Sequence, residues 1–469
     1  TGDIFLYSPC ASAYTEGMKK ETQTKDNRGG VAEMAETIRK TLADFDVPVE
    51  VVYSAEGLQY FHFHLMLLTP VRMRVIQSFA DDLRFALSTD KIEIEAPIPD
   101  KKLVGIKVPK KTKAPALLWR DAVQSKTLAT AGDLVLPLGQ DEFGSELMLN
   151  LAKSPHILIA GATGSGKSMV LHSLISSLLY RYSPDRLRLV LIDPKRVELP
   201  LYANTPHLLS SVLYEARKSV LTLKWLIKEM ERRYDVLEKT RVRDISTYHK
   251  VTGGKTGNGD EFELMPYIVV VIDEIADLMA AYPKEVEGSI VRLAQLSRAV
   301  GIHMIIATQR PSVNVVTGLM KANIPARIAL QVVSNVDSRI ILDQTGAEKL
   351  NGPGDLLFLE PSNMFSTRLQ SYYISEDEIM QNIAKARKKY GEFTDLLMSV
   401  TSNEIDGDDD LYEQAKETVI KSGKVSTSYL QRKLGIGYTR AGALMDKLEA
   451  EGIVSPGNGA EPRKVLITG

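Results

Sequence analysis

The stretch His156-Ile157-Leu158-Ile159-Ala160-Gly161-Ala162-Thr163-Gly164-Ser165-Gly166-Lys167-Ser168 decides how the rest of the chain is read. Its last eight residues fit the pattern G-x-x-x-x-G-K-[ST] in full. Its first five form an apolar run of strand length, and Met169–Ile175 behind it reads as the start of a helix. A buried strand, a glycine loop and a helix N-terminus in that order make a nest of backbone N–H groups suited to a polyphosphate. Gly161, Gly164 and Gly166 let the backbone turn and approach phosphate with no Cβ in the way. Ala162, Thr163 and Ser165 complete the cradle. Lys167 is expected to reach the β- and γ-phosphates, and the Ser168 hydroxyl to ligate Mg²⁺. The stretch implies a nucleoside-triphosphate binder.

Two further strand ends carry chemistry. Tyr267-Ile268-Val269-Val270-Val271-Ile272 runs into Asp273-Glu274, about 105 residues beyond the loop. Strand C-termini of a parallel sheet open onto the ligand crevice, so both carboxylates are expected to face the triphosphate. Asp273 is the expected Mg²⁺ ligand, and Glu274 the group that orients and polarises the attacking water. A third strand ends Ala307-Thr308-Gln309-Arg310. Thr308 and Gln309 are expected beside the γ-phosphate, where an uncharged polar group distinguishes a triphosphate from a diphosphate.

The 469 residues exceed a single core and divide by pattern into zones. Residues 1–25 read as a loose lead-in. Residues 26–115 alternate helix and strand as a small α+β module: helices over Val31–Phe45 and Val71–Leu87, strands over Val49–Tyr53, Tyr60–Leu68, Lys91–Glu95 and Leu103–Val108. A basic, Pro-bearing stretch, Lys107–Pro115, reads as a hinge. In residues 116–400, apolar runs at Leu187–Ile192, Tyr267–Ile272, Ile302–Ala307, Arg327–Val332 and Asp355–Leu359 alternate with helical stretches. That is the pattern of a doubly wound, mainly parallel sheet. Gly253–Asp260 reads as a loop insertion, and 401–410 as an acidic linker. Residues 411–469 hold nine Lys or Arg against six Asp or Glu. Their helices at Tyr412–Lys421, Thr427–Leu434 and Thr439–Glu451, followed by a strand at Lys464–Ile467, form a winged-helix pattern.

Composition narrows the partners. Formal net charge is −1, so any nucleic acid must be met by a local surface. Cys10 is the single cysteine, which rules out an internal disulfide framework and fits a reducing compartment. No apolar run approaches the roughly 18–20 residues that span a bilayer.

The chain resembles the FtsK/SpoIIIE family of DNA translocases. The resemblance is carried by the phosphate loop, by Leu191-Ile192-Asp193-Pro194-Lys195-Arg196-Val197-Glu198-Leu199 and by Ile272-Asp273-Glu274-Ile275-Ala276-Asp277-Leu278-Met279. Ala307-Thr308-Gln309-Arg310-Pro311-Ser312, Lys321–Arg327, Asp337–Asp343 and Thr427–Tyr438 extend it. It implies a RecA-like motor that closes as a homo-hexamer around double-stranded DNA, with ATP and Mg²⁺ between subunits. A neighbour's arginine then completes the site, and Arg298 matches that arginine finger. Arg310 and Lys321 match DNA-contacting positions, where a non-specific motor needs cations to hold phosphates. Family members are cytoplasmic motors tethered to the inner membrane, and linked to the cell-division machinery, through an N-terminal region that this chain lacks. The last domain resembles the family's winged helix, which reads guide sequences and stimulates a site-specific recombinase. Its recognition helix is Tyr438–Asp446, with Arg440 as the expected DNA contact. Thr439 stands where an Asn is common and Ala443 where an Arg is common, so a base-reading donor is absent and the usual guide sequence is not assured. The leading expectation is an ATP-driven DNA pump of chromosome segregation. Conjugative DNA transfer and protein secretion are the alternatives within related motors.

Overall fold

The computed structural model describes residues 28–98, 101–110, 116–252, 263–397, 412, 414–423, 425–455 and 463–466. The expected lead-in, the 253–260 insertion, the acidic linker, residues 111–115 of the hinge and Ile467 lie outside the described residues. The chain divides into two compact units, 1–116 with 140–146, and 117–139 with 147–469.

The first unit holds an antiparallel sheet of β1 (Val49–Glu56), β2 (Tyr60–Leu67), β3 (Glu93–Glu95) and β4 (Val104–Pro109), in the order β1-β2-β4-β3. Helix Arg28–Asp44 lays Ile38 and Leu42, one turn apart, in a core with Phe63, Leu65 and Ile106. The single helix expected over Val71–Leu87 is two, Met73–Ser78 and Ala80–Ala86. They part at Phe79, whose N–H turns back to Ile76 O and whose ring stacks on Phe45 at 5.1 Å. Residues 140–146 group with this unit, where Leu58 N–H donates to Glu142 O and Lys107 pairs with the Glu142 carboxylate at 2.7 Å.

The second unit is built on nine strands. They are β5 (Val135–Asp141), β6 (Glu146–Asn150), β7 (His156–Ala160), β8 (Leu187–Ile192), β9 (Tyr267–Ile272), β10 (Ile302–Thr308), β11 (Ala326–Leu330), β12 (Asp355–Leu359) and β13 (Thr367–Ser371). Their order is β6-β5-β13-β12-β11-β7-β10-β9-β8. The run β11-β7-β10-β9-β8 is parallel, and every residue of β7, β9, β10 and β11 is buried. Helices cover its faces, so these strands carry no polar alternation. β12 departs from the expectation of a parallel strand: it runs antiparallel to β11, and β13 antiparallel to β12. An apolar run encodes burial on both faces, not direction. Here the chain between β11 and β12 contains only helix Asn335–Leu342 and a short 3₁₀ turn, and it returns directly alongside β11.

Register sets the strand ends level. Thr308 lies beside Ala160, Ile306 beside Ile272, and Ile192 also beside Ile272. The loops after β7, β8, β9 and β10 therefore emerge along one edge, and the site is built there. The C-terminal segment has its own core of Tyr412, Val419, Leu430, Leu444, Met445 and Leu448. Helices Thr427–Leu434 and Tyr438–Ala450 lead into short antiparallel pairings of Val425 with Arg463 and Val454 with Val465, the wing.

At the opposite edge of the large sheet, His156 opens β7 and His303 is the second residue of β10, with their rings 6.4 Å apart. Burial pushes the His156 imidazole down to about 3 and that of His303 down to about 4. The unfolded chain takes up these protons near pH 6.5, whereas the fold resists them to much lower pH. Stability is therefore complete above about pH 6.5 and declines as the solution is acidified below it, by up to about 1.4 kcal/mol per pH unit for each ring. We predict that the thermal midpoint falls between pH 7 and pH 5, and that replacing both residues by Leu flattens the slope. An unchanged slope in the double variant would assign the acid sensitivity to other groups.

Candidate nucleotide site

The phosphate loop hangs between two neighbouring strands. Gly161 N–H donates to Thr308 O at the end of β10, and Ala162 N–H to Gln331 O just past β11. From the far side, Gly354 N–H donates to Ser165 O at 3.0 Å. Gly166 has φ +97°, and a Cβ there would lie 2.5 Å from Gly354 N, so the motif's glycine is set by both conformation and space. Helix Lys167–Arg181 begins at the next residue and turns its free N–H groups toward the loop.

Lys167 is 3% exposed and Asp273 1%. The ammonium donates to Asp273 Oδ1 at 2.5 Å and to Asp273 O at 2.9 Å. Burial pushes the Asp273 carboxyl up, against the pull of the Lys167 charge. The Ser168 hydroxyl donates to Glu198 Oε1 at 2.6 Å.

Glu274 is fully buried, and both its oxygens are occupied. Oε1 accepts from Thr308 Oγ1 at 2.6 Å and from Ala276 N–H at 3.3 Å. Oε2 accepts from Lys195 Nζ at 2.9 Å and from Gln309 N–H at 3.1 Å. Burial alone would raise its pKa, but the donors from Thr308, Lys195 and Gln309 win and hold it below the usual carboxylate range. The Gln309 side chain reaches the other way, accepting from Thr163 Oγ1 at 3.1 Å. Loop, acids and third-strand residues thus meet on one edge. The assembly offers backbone donors and an ammonium to an anion, oxygen donors to a cation, and an ionised carboxylate to a proton.

Sequence reasoning gave no role to the turn after β8. Asp193, fully buried, accepts five backbone N–H groups: Lys195 and Arg196 on Oδ1, and Val197, Glu198 and Leu199 on Oδ2. This curls residues 193–199 so that Lys195 reaches Glu274 and Glu198 reaches Ser168. Glu198 Oε2 also meets His172 Nε2 at 3.1 Å. Its carboxyl is held down to about 2, first by the His172 contact and, against the cost of burial, by Ser168. An Asp-Pro pair immediately after an apolar strand is the signal that could have found this turn.

Four expected site residues lie elsewhere. Arg298 is exposed and donates through Nε to Ala152 O at 3.2 Å. It precedes the first residue of β10, whereas the phosphate loop is level with the last, about 20 Å along the strand. Its turn is braced: Arg233 donates to Val300 O, Tyr234 to Leu296 O, and Ile245 N–H to Ala299 O. Arg310 is exposed just beyond β10, with its N–H on Thr308 Oγ1. Lys321 is paired with Asp343 at 2.6 Å, and Arg327 holds the other oxygen of the same carboxylate. Arg440 and Ala443 are exposed on helix Tyr438–Ala450.

Models of three domains match along the chain: FtsK alpha domain over 14–110, FtsK/SpoIIIE family over 118–313 and Ftsk gamma domain over 406–468. DNA translocase FtsK of Treponema pallidum is 42% identical over 98% of this chain and 59% of its own length. DNA translocase SftA of Bacillus subtilis is 42% identical over 95% and 47%, respectively. The chain thus spans about half to three-fifths of the relatives' length. Among solved structures, the pCW3 conjugation coupling protein TcpA, with ATPγS, superposes with a TM-score of 0.55 at 28% identity, over 76% of this chain and 99% of that one. The cytoplasmic domain of the type VII secretion ATPase EccC of Thermomonospora curvata gives 0.51 at 24% identity, over 60% and 35%, and shows the fold alone. With the phosphate loop on a parallel sheet of P-loop motor type, a small α+β unit before it and a winged helix after it, the chain belongs to the FtsK/SpoIIIE family.

Proposed function

We propose that this chain is the motor region of an ATP-driven double-stranded DNA translocase that acts as a hexameric ring in chromosome segregation. The observation that carries the reading is the clamped, ionised Glu274 beside a complete phosphate loop, in a chain that ends in a winged helix. The loop's N–H groups and Lys167 hold the β- and γ-phosphates, so that charge developing on them meets a fixed cation. Glu274 takes the proton of the attacking water, and Thr308 and Gln309 keep its carboxylate in place. Ser168 and Asp273 offer the hard oxygen donors that suit Mg²⁺, which would neutralise phosphate charge when bound. Arg298 lies too far from its own loop to serve it and sits on a braced turn, which supports action on a neighbour's site. Arg310, Lys321 and Arg440 would contact DNA phosphates or base edges; Arg310 and Arg440 are exposed, which supports that role for them. The winged helix would orient the motor on DNA and engage a site-specific recombinase. A region outside this chain would supply the membrane anchor and the link to the division machinery. Conjugative transfer is the second reading, favoured by the match to TcpA.

Duplex DNA should stimulate ATP hydrolysis and be moved by it, scored by displacement of a triplex-forming strand. A hydrolysis rate indifferent to duplex would exclude both DNA readings. Lys167→Ala should abolish turnover. Glu274→Gln should retain ATP binding and slow turnover about 10²–10⁴-fold; a rate near that of the parent protein would remove Glu274 as the base.

Arg298→Ala should cost on the order of 10³–10⁵ in rate, with nucleotide affinity of isolated subunits preserved. Mixed with Glu274→Gln subunits, it should regain activity only at mixed interfaces. No recovery in the mixture would count against action in trans.

Deleting residues 411–469 should leave DNA-stimulated hydrolysis in place and remove orientation preference. Within the winged helix, Arg440→Ala should relax one base position by roughly 1–3 kcal/mol if it reads a guanine, or weaken all sequences alike if it holds phosphate. Selection from random duplexes separates the two. Recovery of the family's usual guide sequence at full strength would show that Ala443 carries no penalty.

A further inference from the structure

Ser168 and His172 lie one helical turn apart on helix Lys167–Arg181, and both are held by one carboxylate. Glu198 Oε1 takes the Ser168 hydroxyl proton at 2.6 Å, and Oε2 meets His172 Nε2 at 3.1 Å. A carboxylate only accepts, so Nε2 carries the ring proton. The other ring nitrogen, Nδ1, is 3.0 Å from Tyr202 Oη, and Tyr202 is fully buried. The chain Ser168–Glu198–His172–Tyr202 is therefore anchored in the core at one end and touches the phosphate loop at the other. Its geometry is fixed upstream by Asp193, which grips the backbone of residues 195–199.

We propose that Glu198 is a positioning residue for the divalent cation that accompanies the nucleotide. A hydroxyl has one proton and two lone pairs. With the proton held by Glu198, the Ser168 oxygen keeps one rotamer and leaves its lone pairs for a metal. The more familiar acceptor, Asp273, is already engaged by Lys167 on Oδ1, so the work of orienting Ser168 falls to a different strand loop. His172 in turn keeps the carboxylate from rotating away. Partners that orient a metal ligand in this manner typically account for 10–100-fold in metal affinity.

The inference rests on the reading of Ser168 as a metal ligand, and its test separates the two. Binding of a fluorescent ATP analogue to the full chain is titrated with Mg²⁺, and separately measured in excess chelator. Glu198→Ala should raise the Mg²⁺ concentration for half-maximal binding about 10–100-fold, with affinity in chelator unchanged. Glu198→Gln, which still offers an oxygen to Ser168, should recover much of the loss. His172→Phe should shift the midpoint in the same direction by less. In a Ser168→Ala background the Glu198 substitution should have no further effect on the Mg²⁺ midpoint. Equal loss with and without Mg²⁺, or an additive effect in the Ser168→Ala background, would make Glu198 a structural residue and overturn the inference. If Ser168→Ala alone left the Mg²⁺ midpoint unmoved, the reading of Ser168 itself would fail instead. Should Glu198→Ala not fold, Glu198→Met, which fills the same space and offers Ser168 no oxygen, carries the same comparison.

Discussion

A buried ammonium at the head of a helix is the constraint around which the candidate site is arranged. Lys167 is nearly sealed from water and sits at the N-terminal, positive end of helix Lys167–Arg181, where a cation is disfavoured. Two oxygens of Asp273 answer it, one from the side chain and one from the backbone. Removing water from both charges costs several kcal/mol, so the pair is a poor source of stability. What it provides is position: a cation held at the mouth of a nest of N–H groups, ready to exchange part of its partnership for phosphate. Because Asp273 ends β9 and the loop ends β7, with β10 between them, the pair also ties two non-adjacent strands across one edge of the sheet.

The second organising group is Asp193. One buried carboxylate with five backbone donors replaces the ladder that the chain gives up on leaving β8. The turn it makes places Lys195 on Glu274 and Glu198 on Ser168, so one loop reaches both the proposed base and the proposed metal ligand. With Thr308, Ala276 and Gln309 also donating to Glu274, the carboxylate has no spare acceptor direction pointing at random. A carboxylate held by that many donors is fixed in orientation, and acting as the proposed base on a water would require that one of them give way. Lys195, at 29% side-chain exposure, is the donor least enclosed.

The loop, the two acids and the third-strand Thr-Gln were legible in the sequence because each is tied to the end of an apolar strand, and strand ends in a parallel sheet share an edge. The five central strands were legible for the same reason. What stayed hidden was long-range or directional. β12 reads as well parallel as antiparallel, since its side chains are buried either way. β6 and β13 lack a long apolar run, and Pro137 and Gly139 interrupt the pattern of β5, so all three went unseen. The Glu198–His172–Tyr202 chain joins residues from two elements, 26 and 30 positions apart, and no local spacing announces it. Phe79 breaks a helix that periodicity joins, and its ring stacks on Phe45, a contact no local pattern announces.

Arg310 and Lys321 illustrate how a matched position differs from an available charge. Lys321 shares Asp343 with Arg327, whose guanidinium also bonds Ile324 O, Ile341 O and Lys321 O, a pattern that stitches the segment after β10 to the turn ending helix Asn335–Leu342. A duplex phosphate arriving at Lys321 must compete with a carboxylate already in place. That competition lowers the cation's worth as an anchor. The Arg310 backbone N–H donates to Thr308 Oγ1, the hydroxyl that also holds Glu274, and the Arg310 carbonyl accepts from Ser312 N–H. On the proposed reading, a pull on Arg310 by a moving phosphate would reach Thr308 through the Arg310 backbone N–H, and Thr308 holds Glu274. This is a short mechanical path between the proposed DNA contact and the proposed base, and it runs through one side chain, Thr308.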